Sequence, residues 1–373
     1  MSKIVADNKN NTGPIKVLHL IDSGGLYGAE KMLLALVTEQ VKQGLQPMIL
    51  SAGIVGEPEK PLETEVKKLG LPLKVWRMKP GFNLTEAKKI HSWADAEGYT
   101  YLHSHGFKFN VLLVSVRIFS NVKQKLIASV HGYIGGKRYS KLWLYELLDG
   151  WALKFFDAVV VVSSPMLELP VIKAVNKNKV CVINNGISNL RTDKKLSDDL
   201  KQFIQPYKVK AIVVGRLSRE KGITYLLQAL TQLPNKADIG LVLVGEGGER
   251  ESLELEAKSL GLSNVLFAGY MDNAGDIINH FDVLVMPSLT EGLPITILEA
   301  MRSGIDIVAT KVGGIPSVLS PDMAFLVNKE NIVELVSALS DVIAGGNKFG
   351  AKDEFMKNYT SSVMAEKYMS VYS

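Results

Sequence analysis

Two glutamates, Glu291 and Glu299, stand eight positions apart in the segment EGLPITILEAM, where almost every residue between them is apolar. Because Pro294 suits the first turn of a helix, we predict a helix that starts there. A helix that is apolar on all sides is normally buried, and a buried carboxylate needs a hydrogen-bonding or charged partner. Helical geometry would place Glu299 about 80° round from Glu291 and about 12 Å along the axis. The two carboxylates could then hold the hydroxyl groups of two sugars in one extended ligand.

Two cations precede another predicted helix, in the segment GRLSREKG at 215–222. Arg216 lies directly after a predicted strand, and Lys221 lies five residues further on, beside Gly222. A helix N-terminus with two neighbouring cations favours the binding of a diphosphate. The alternative is a solvated loop with three surface charges, Arg219 included, because charged runs are usually surface features.

A glycine-bearing turn, DSGGLYGAEK, follows the first predicted strand. Gly24, Gly25 and Gly28 would let a ligand approach the backbone at the start of the next helix. Their spacing does not match the dinucleotide-binding fingerprint, so a plain tight turn remains the alternative.

The elements that must position these residues alternate regularly along the chain. Apolar, strand-like runs separated by helical segments predict parallel sheets covered on both faces, which is a doubly wound α/β fold. Because thirteen strands are too many for one ordinary sheet, we predict two Rossmann-like domains that face each other across a deep cleft. Ligands of such sheets bind beyond the carboxyl ends of the strands. The predicted strands are 16–21, 47–52, 73–78, 99–104, 125–131, 157–164, 180–184, 210–215, 239–245, 265–269, 283–288, 306–310 and 324–327.

The polar segment NGISNLRTDKKLSDD divides the chain into halves of similar size. We predict a mobile tail at 1–14, an acceptor-binding domain at 15–188 and a linker at 189–207. A donor-binding domain would follow at 208–350, and a C-terminal helix at 351–373 would cross back to the first domain.

The composition is that of an ordinary globular protein, with 47% hydrophobic and 22% charged residues among 373. The single cysteine, Cys181, lies in an apolar run and is expected in the core. No intramolecular disulfide can form, which fits a reducing compartment. The polar N-terminus lacks the apolar stretch of a signal peptide, and no run of about 18 apolar residues occurs, so we expect a cytoplasmic protein.

Charge is distributed unevenly along the chain. Residues 1–190 carry 24 Lys and Arg against 15 Asp and Glu, whereas residues 191–373 carry 19 against 23. A basic half suggests an anionic partner, such as a membrane surface or an acceptor. Nucleic acid is not expected, because no recognisable binding module is present. The aromatic segment 137–156 could lie on an anionic membrane as an amphipathic helix, and the alternative is a helix packed on the first sheet with a basic end.

Several ordered segments together resemble one family, the retaining nucleotide-sugar glycosyltransferases of GT-B architecture with two glutamates separated by seven residues. The resemblance covers about residues 15–370. The segments that carry it are DSGGLYGAEK, SVHGY, INNGIS, VGRLSREKG, PSLTEGLPITILEAMRSGIDIVAT and VGGIPSVL.

The resemblance implies roles for the charged residues of the second half. Arg216 and Lys221 would neutralise the leaving diphosphate. Glu299 would bind the ribose hydroxyls, and Glu291 would hold hydroxyls of the donor sugar. Such enzymes usually need neither a metal ion nor a cofactor, so we expect a nucleoside-diphosphate sugar as the donor and no bound metal.

The resemblance also implies roles for uncharged groups. The backbone at Gly292 and Leu293 would help to hold the donor, and His131 would touch the donor sugar near the reacting carbon. Gly24 and Gly25 would let the backbone lie against the diphosphate or the sugar.

The sequence of the predicted acceptor-binding domain says less about the roles of its residues. His103 and His105, in HSHG, match a family stretch that shapes the acceptor wall, and as bare histidines they are read as structural. The family uses glycan, lipid-linked or small-molecule acceptors, often for cell-surface polysaccharide, and the basic half favours a peripheral membrane location. A nucleotide-sugar 2-epimerase and a non-catalytic nucleotide-sugar-binding protein remain alternatives, and a dinucleotide oxidoreductase is a weaker one.

Overall fold

The structure is a computed structural model of the chain. It describes residues 13–132, 139–190 and 194–373, except residues 23, 24, 27, 82 and 121 and the side chains of residues 141 and 142. The chain forms two compact units, residues 1–186 with 361–373 and residues 187–360.

The first unit is built on a parallel sheet of seven strands, in the order β3-β2-β1-β4-β5-β6-β7. All seven strands predicted for this half are present; β1 and β3 have the predicted bounds, β2 is longer, and β4 to β7 are shorter. The strands are β1 (Lys16–Ile21), β2 (Gln46–Ile54), β3 (Leu73–Met78), β4 (Tyr101–Ser104), β5 (Lys125–Val130), β6 (Ala158–Val161) and β7 (Val180–Val182).

Helices cover both faces of this sheet because alternate strand side chains point to opposite sides. The helices are α1 (Gly28–Lys42), α2 (Pro61–Lys68), α3 (Leu84–Ala96), α4 (Phe107–Phe119), α5 (Lys141–Leu153), α6 (Pro170–Lys173) and α13 (Ser361–Tyr372). On one face, Leu18 and Leu20 join a core with apolar side chains of α3, α4 and α5. On the other face, Val17 and Ile127 join a core with side chains of α1 and α13.

The second unit is built on a parallel sheet of six strands, in the order β10-β9-β8-β11-β12-β13. The six strands predicted for this half are therefore present as well. They are β8 (Val209–Val214), β9 (Ile239–Val244), β10 (Val265–Gly269), β11 (Val283–Met286), β12 (Asp306–Thr310) and β13 (Phe325–Val327). The helices are α7 (Asp198–Ile204), α8 (Ile223–Gln232), α9 (Arg250–Ser259), α10 (Ile295–Ser303), α11 (Ile332–Ile343) and α12 (Ala351–Asn358).

Two predicted segments differ from the structure in detail. The predicted linker contains α7, and its apolar Leu200 and Ile204 are buried in the core of the second unit. The predicted single C-terminal helix is two helices, with α12 in the second unit and α13 in the first. Between these two helices, Thr360 pairs with Ile187 as a parallel β-bridge. None of the helices in the described part of the chain is long and apolar enough to cross a membrane.

Helix α5 packs on one side and is exposed on the other. Asp149, Ala152 and Leu153 are buried, and Asn110 on α4 donates a hydrogen bond to Asp149 at 2.7 Å. The predicted packed helix is therefore present on this side. The opposite side exposes large apolar side chains, namely Leu144, Leu147, Leu148 and Trp151, and Phe155 just beyond the helix continues them.

Candidate functional site

The second sheet reverses its strand order between β8 and β11. In open α/β sheets, ligands bind at such a reversal, beyond the carboxyl ends of the strands. A pocket lies there, and the predicted cations both line it. Its lining residues are Val213, Val214, Gly215, Arg216, Lys221, Ile223, Val285, Met286, Pro287 and Ser288.

A glycine brings the two loops of this pocket into contact. Gly222 adopts a left-handed conformation with φ of +62°, and it directly precedes α8. A Cβ atom at this position would lie 2.2 Å from the carbonyl oxygen of Pro287. Only glycine therefore lets the loop after β8 lie against the loop after β11.

Lys221 and Glu291 form an ion pair in this contact region. The Nζ atom of Lys221 lies 2.6 Å from Oε1 of Glu291, and the side chains are 22% and 10% exposed. The hydroxyl of Ser288 donates to the same carboxylate oxygen at 2.7 Å. Thr310 in turn donates to the carbonyl oxygen of Ser288 at 2.6 Å. The Glu291 carboxylate is thus held at a defined place, with a cation beside it.

Arg216 has a looser arrangement, and its side chain is 70% exposed. Its guanidinium lies 2.9 Å from Glu220, one turn further along the chain. The pKa of Glu220 is lowered by hydrogen bonds from its own backbone N–H and from Ser218, and then by Arg216. An exposed pair of this kind contributes about 0–1 kcal/mol, so Arg216 is available to a stronger anionic ligand.

Adjacent glycines support the backbone that carries Glu291. The N–H of Gly314 donates to the carbonyl oxygen of Gly292 at 2.7 Å. A Cβ atom on Gly313, whose φ is +55°, would lie 1.7 Å from the carbonyl oxygen of Glu291. These two glycines hold the segment of Gly292 and Leu293 in place, and the signal in the sequence was a glycine pair shortly after a predicted strand.

The prediction that the helix between the two glutamates starts at Pro294 is wrong. Pro294 is the residue before α10 and has extended backbone angles, φ −73° and ψ 127°. Glu291 is therefore on the loop, and the helical rotation and rise do not describe its distance from Glu299. The prediction that α10 is buried is confirmed, because seven of its nine residues are buried.

Glu299 lies on α10 and is 8% exposed. Its carboxylate lies against Gly275, where a Cβ atom would come within 2.1 Å of Oε1. Any other residue at 275 would displace this carboxylate. The sequence reasoning missed Gly275, because only the fold brings the short helical turn Ala274–Asp276 next to α10.

In the first unit, the predicted residue His131 directly follows β5. Its Nε2 atom lies 3.4 Å from Nδ1 of His105, and burial lowers the pKa of His131 to about 4. Of the two predicted glycines, Gly25 is buried three residues before α1, and Gly24 lies outside the described residues.

A group of buried histidines surrounds this position. His103 and His105, predicted as structural, are 0% and 5% exposed. His19, which the sequence reasoning did not single out, pairs with His103 in the register of β1 and β4. Burial lowers the pKa of His19 to about 4 and holds those of His103 and His105 well below the usual value.

Comparisons with known proteins match both halves of the chain. Residues 27–189 match Glycosyltransferase Family 4, and residues 196–360 match Glycosyl transferases group 1. The O-antigen biosynthesis glycosyltransferase WclY of Escherichia coli is 29% identical over 293 residues, which cover 74% of this chain and 79% of that protein. A UDP-Gal:alpha-D-GlcNAc-diphosphoundecaprenol alpha-1,3-galactosyltransferase of the same species is 26% identical over 256 residues, 65% of this chain and 66% of its own.

A solved structure shows the same fold. The crystal structure of HepE from Anabaena in complex with UDP matches with a TM-score of 0.78 at 20% identity. The match covers 96% of this chain and 99% of that one. The predicted α/β fold with two doubly wound domains is thereby confirmed as a fold class.

Proposed function

Since this chain is a glycosyltransferase of GT-B architecture, with a Glycosyltransferase Family 4 half and a Glycosyl transferases group 1 half, we propose that it moves a sugar from a nucleoside-diphosphate sugar to a glycan, lipid-linked or small-molecule acceptor. Transfer retains the anomeric configuration and needs no metal ion. The biological setting is the synthesis of cell-surface polysaccharide or glycoconjugate, which the relative named for O-antigen biosynthesis supports.

The observation that carries this proposal is the meeting of Arg216, Lys221 and Glu291 at the strand reversal of the second sheet. Bond cleavage puts negative charge on the leaving diphosphate, and fixed cations stabilise that charge. A charge-assisted hydrogen bond contributes about 1.5–3 kcal/mol, which exceeds the value of the exposed Arg216–Glu220 pair. A diphosphate would therefore draw Arg216 away from Glu220.

The remaining residues take the roles that orient the donor. Glu291 accepts hydrogen bonds from hydroxyls of the donor sugar, and Glu299 accepts them from the ribose. The backbone of Gly292 and Leu293 lies along the donor. In the first unit, His131 and Gly25 meet the sugar and the diphosphate.

Thermal shift with a panel of nucleoside diphosphates and their sugars tests the donor site. A ligand that binds only the native state raises its stability as the logarithm of saturation. We expect stabilisation of the wild type and a reduced shift for the Arg216→Ala, Lys221→Ala double variant. Lys201→Ala is the control, because it removes an exposed ion pair with Asp198 on α7, outside the pocket. An unchanged shift in the double variant, or no shift with any nucleotide, would refute the site.

Turnover assays separate the proposed reaction from its alternatives. A transferase releases nucleoside diphosphate faster when acceptor is added, and the anomeric signal of the product by NMR reports retention. Formation of a 2-epimer from donor alone would identify an epimerase. Nucleotide binding without release under any acceptor condition would identify a binding protein. Activity that disappears with EDTA and returns with a divalent cation would contradict metal independence.

We also propose that the first unit binds an anionic membrane through α5. The exposed apolar residues Leu144, Leu148, Trp151 and Phe155 recur at helical spacing, and their exposed fractions are 39–47%. A continuous apolar stripe on a helix surface suits insertion at the headgroup boundary. The basic balance of residues 1–190 supplies attraction to anionic lipid.

Sedimentation with vesicles of anionic lipid tests the membrane proposal. We expect binding at low salt that weakens as salt screens the charges over about 8 Å at physiological ionic strength. Replacing Lys137, Arg138 and Lys141 together with Gln should weaken sedimentation, and so should Trp151→Ser; the first two lie outside the described residues. Donor nucleotide binding should stay unchanged in both variants. Wild-type protein that ignores these vesicles at low salt would refute the proposal.

A further inference from the structure

Two buried histidines join the predicted site residue His131 to the side-chain amide of Gln40. The Nε2 atom of His131 lies 3.4 Å from Nδ1 of His105, and Nε2 of His105 lies 2.9 Å from Nδ1 of His19. The Nε2 atom of His19 lies 2.8 Å from Oε1 of Gln40. His19 and Gln40 are 0% exposed and His105 is 5% exposed, so water does not interrupt this line.

Each ring in the line carries a single proton near neutral pH. Burial lowers the pKa of His19 and of His131 to about 4 and that of His105 well below its usual value. A neutral imidazole donates from one nitrogen and accepts at the other. In a line of such rings, the group at one end therefore sets every tautomer.

Gln40 is that group. Its Nε2 donates to the hydroxyl of Tyr372 at 3.3 Å, which leaves its Oε1 to accept from the Nε2–H of His19. His19 then accepts at Nδ1 from the Nε2–H of His105, and His105 accepts at Nδ1 from the Nε2–H of His131. His131 ends the line with its proton on Nε2 and a lone pair on Nδ1.

The Nδ1 atom of His131 is buried and has no hydrogen-bond partner among the described residues. A buried acceptor left unpaired is unfavourable, so this atom is suited to a donor that arrives with a ligand. We propose that Gln40, His19 and His105 are positioning residues that fix His131 as its Nε2–H tautomer, so that Nδ1 accepts a hydrogen bond from a hydroxyl of the sugar substrate. This inference rests on the proposed function, in which His131 meets the sugar.

A branch of hydrogen bonds from Gln40 holds its side-chain amide in this orientation. Because the hydroxyl of Tyr372 accepts from Gln40, it donates to Nδ1 of His103 at 2.7 Å. The Nε2–H of His103 then donates to Ser129 at 2.8 Å, and the hydroxyls of Ser129 and Tyr368 lie 2.7 Å apart. Tyr368 and Tyr372 are both on α13, so this helix fixes the end of the line that is remote from His131.

A metal ion is the competing explanation for this group. Ligand atoms of His19, His103 and His105 lie within 4.8 Å of one another. Every ring nitrogen of the three already has a hydrogen-bond partner in the line or its branch. A metal would have to displace those bonds, and its presence would abolish the proposed tautomers.

NMR of protein labelled with ¹⁵N-histidine tests the line without any need for activity. The chain has only six histidines, and the His131 signals are identified by their loss in His131→Asn. We expect the wild type to show His131 protonated on Nε2 at neutral pH. Protonation on Nδ1, or a stoichiometric metal found by elemental analysis, would overturn the proposal. This result is independent of whether the chain transfers a sugar.

Variants of Gln40 then connect the tautomer to turnover. Gln40→Leu removes the acceptor, so we expect the Nδ1–H form of His131 to appear and kcat to fall about tenfold, the effect of one hydrogen bond. Gln40→Glu keeps an acceptor for His19 and should keep the wild-type tautomer. Ser115→Ala is the matched control, because it breaks a hydrogen bond of the first unit, to the carbonyl oxygen of Val111 on α4, that belongs to neither the line nor its branch. An unchanged tautomer in Gln40→Leu, or an equal loss of kcat in Ser115→Ala, would overturn the proposal. Nucleoside diphosphate binding should be unchanged throughout, because none of these substitutions changes Arg216 or Lys221.

Discussion

Lowering the pH from 7 to 5 should destabilise the first unit through its buried histidines. The pKa of His19 and of His131 is about 4 in the folded chain, against an ordinary value of 6.5. Between these values the unfolded chain binds protons that the folded chain does not, so stability is fully present above pH 6.5 and is lost as pH falls toward 4. Each of the two residues should contribute a loss of about 2 kcal/mol between pH 7 and pH 5.

The two other histidines of the group, His103 and His105, act in the same direction because burial lowers their pKa as well. In the described part of the chain, the hydrogen-bonding partners of the four rings are uncharged, among them Gln40 on α1 and Tyr372 on α13. No carboxylate is among these hydrogen-bonding partners, so we expect the loss to appear in full.

Tryptophan fluorescence reports on this unit alone. All four tryptophans lie in the first unit, at Trp76, Trp93, Trp143 and Trp151. In urea, the combined loss of about 4 kcal/mol from His19 and His131 should lower the unfolding midpoint by about 2 M, with a slope of about 2 kcal/mol per M. His19→Gln should reduce the pH dependence, whereas His280→Gln, which changes an exposed histidine of the second unit, should leave it unchanged. A midpoint equal at pH 7 and pH 5 would refute the reasoning.

Two further outcomes test the donor site. Glu299→Gln should weaken the binding of a nucleoside diphosphate with or without its sugar, whereas Glu291→Gln should affect the sugar nucleotide more than the bare diphosphate. Isothermal titration of both variants against both ligands checks this. Equal losses of affinity for the two ligands in both variants would rule out separate partners for the two glutamates. Gly222→Ala should lower both stability and diphosphate affinity, because its Cβ would meet the Pro287 carbonyl. Gly261→Ala is its control, since Gly261 has a similar φ of +65° with open space around it. Both variants carry a conformational cost of about 1–2 kcal/mol. An equal loss of diphosphate affinity in both would therefore show that the contact with Pro287 is unimportant.

The sheets were predictable because their strands are continuous apolar runs between helices, and this pattern depends only on neighbouring residues. Arg216 and Lys221 were also predictable as neighbours, because both follow the carboxyl end of one strand. The position of Glu291 was not, since Pro294 ends an extended segment there instead of opening the helix. Whether a proline sits just inside or just outside a helix depends on how the surrounding loop packs.

The histidine line could not be read from the sequence at all. His19 and His103 meet only because β1 and β4 are neighbours with that register. Tyr372, the hydrogen-bonding partner of His103, is 269 residues from it along the chain. The contact of Glu299 with Gly275 could not be predicted for the same reason, because it joins two segments that no local sequence pattern relates.

The placement of α13 in the first unit has a consequence for synthesis of the chain on the ribosome. Met364, Ala365, Tyr368 and Tyr372 are at most 1% exposed and complete a core whose other members include Val17 and Met32. The residues of the second unit are contiguous, at 187–360, and emerge from the ribosome before α13. We therefore expect the first unit to finish folding after the second, with one face of its sheet open to chaperones until α13 has been synthesised.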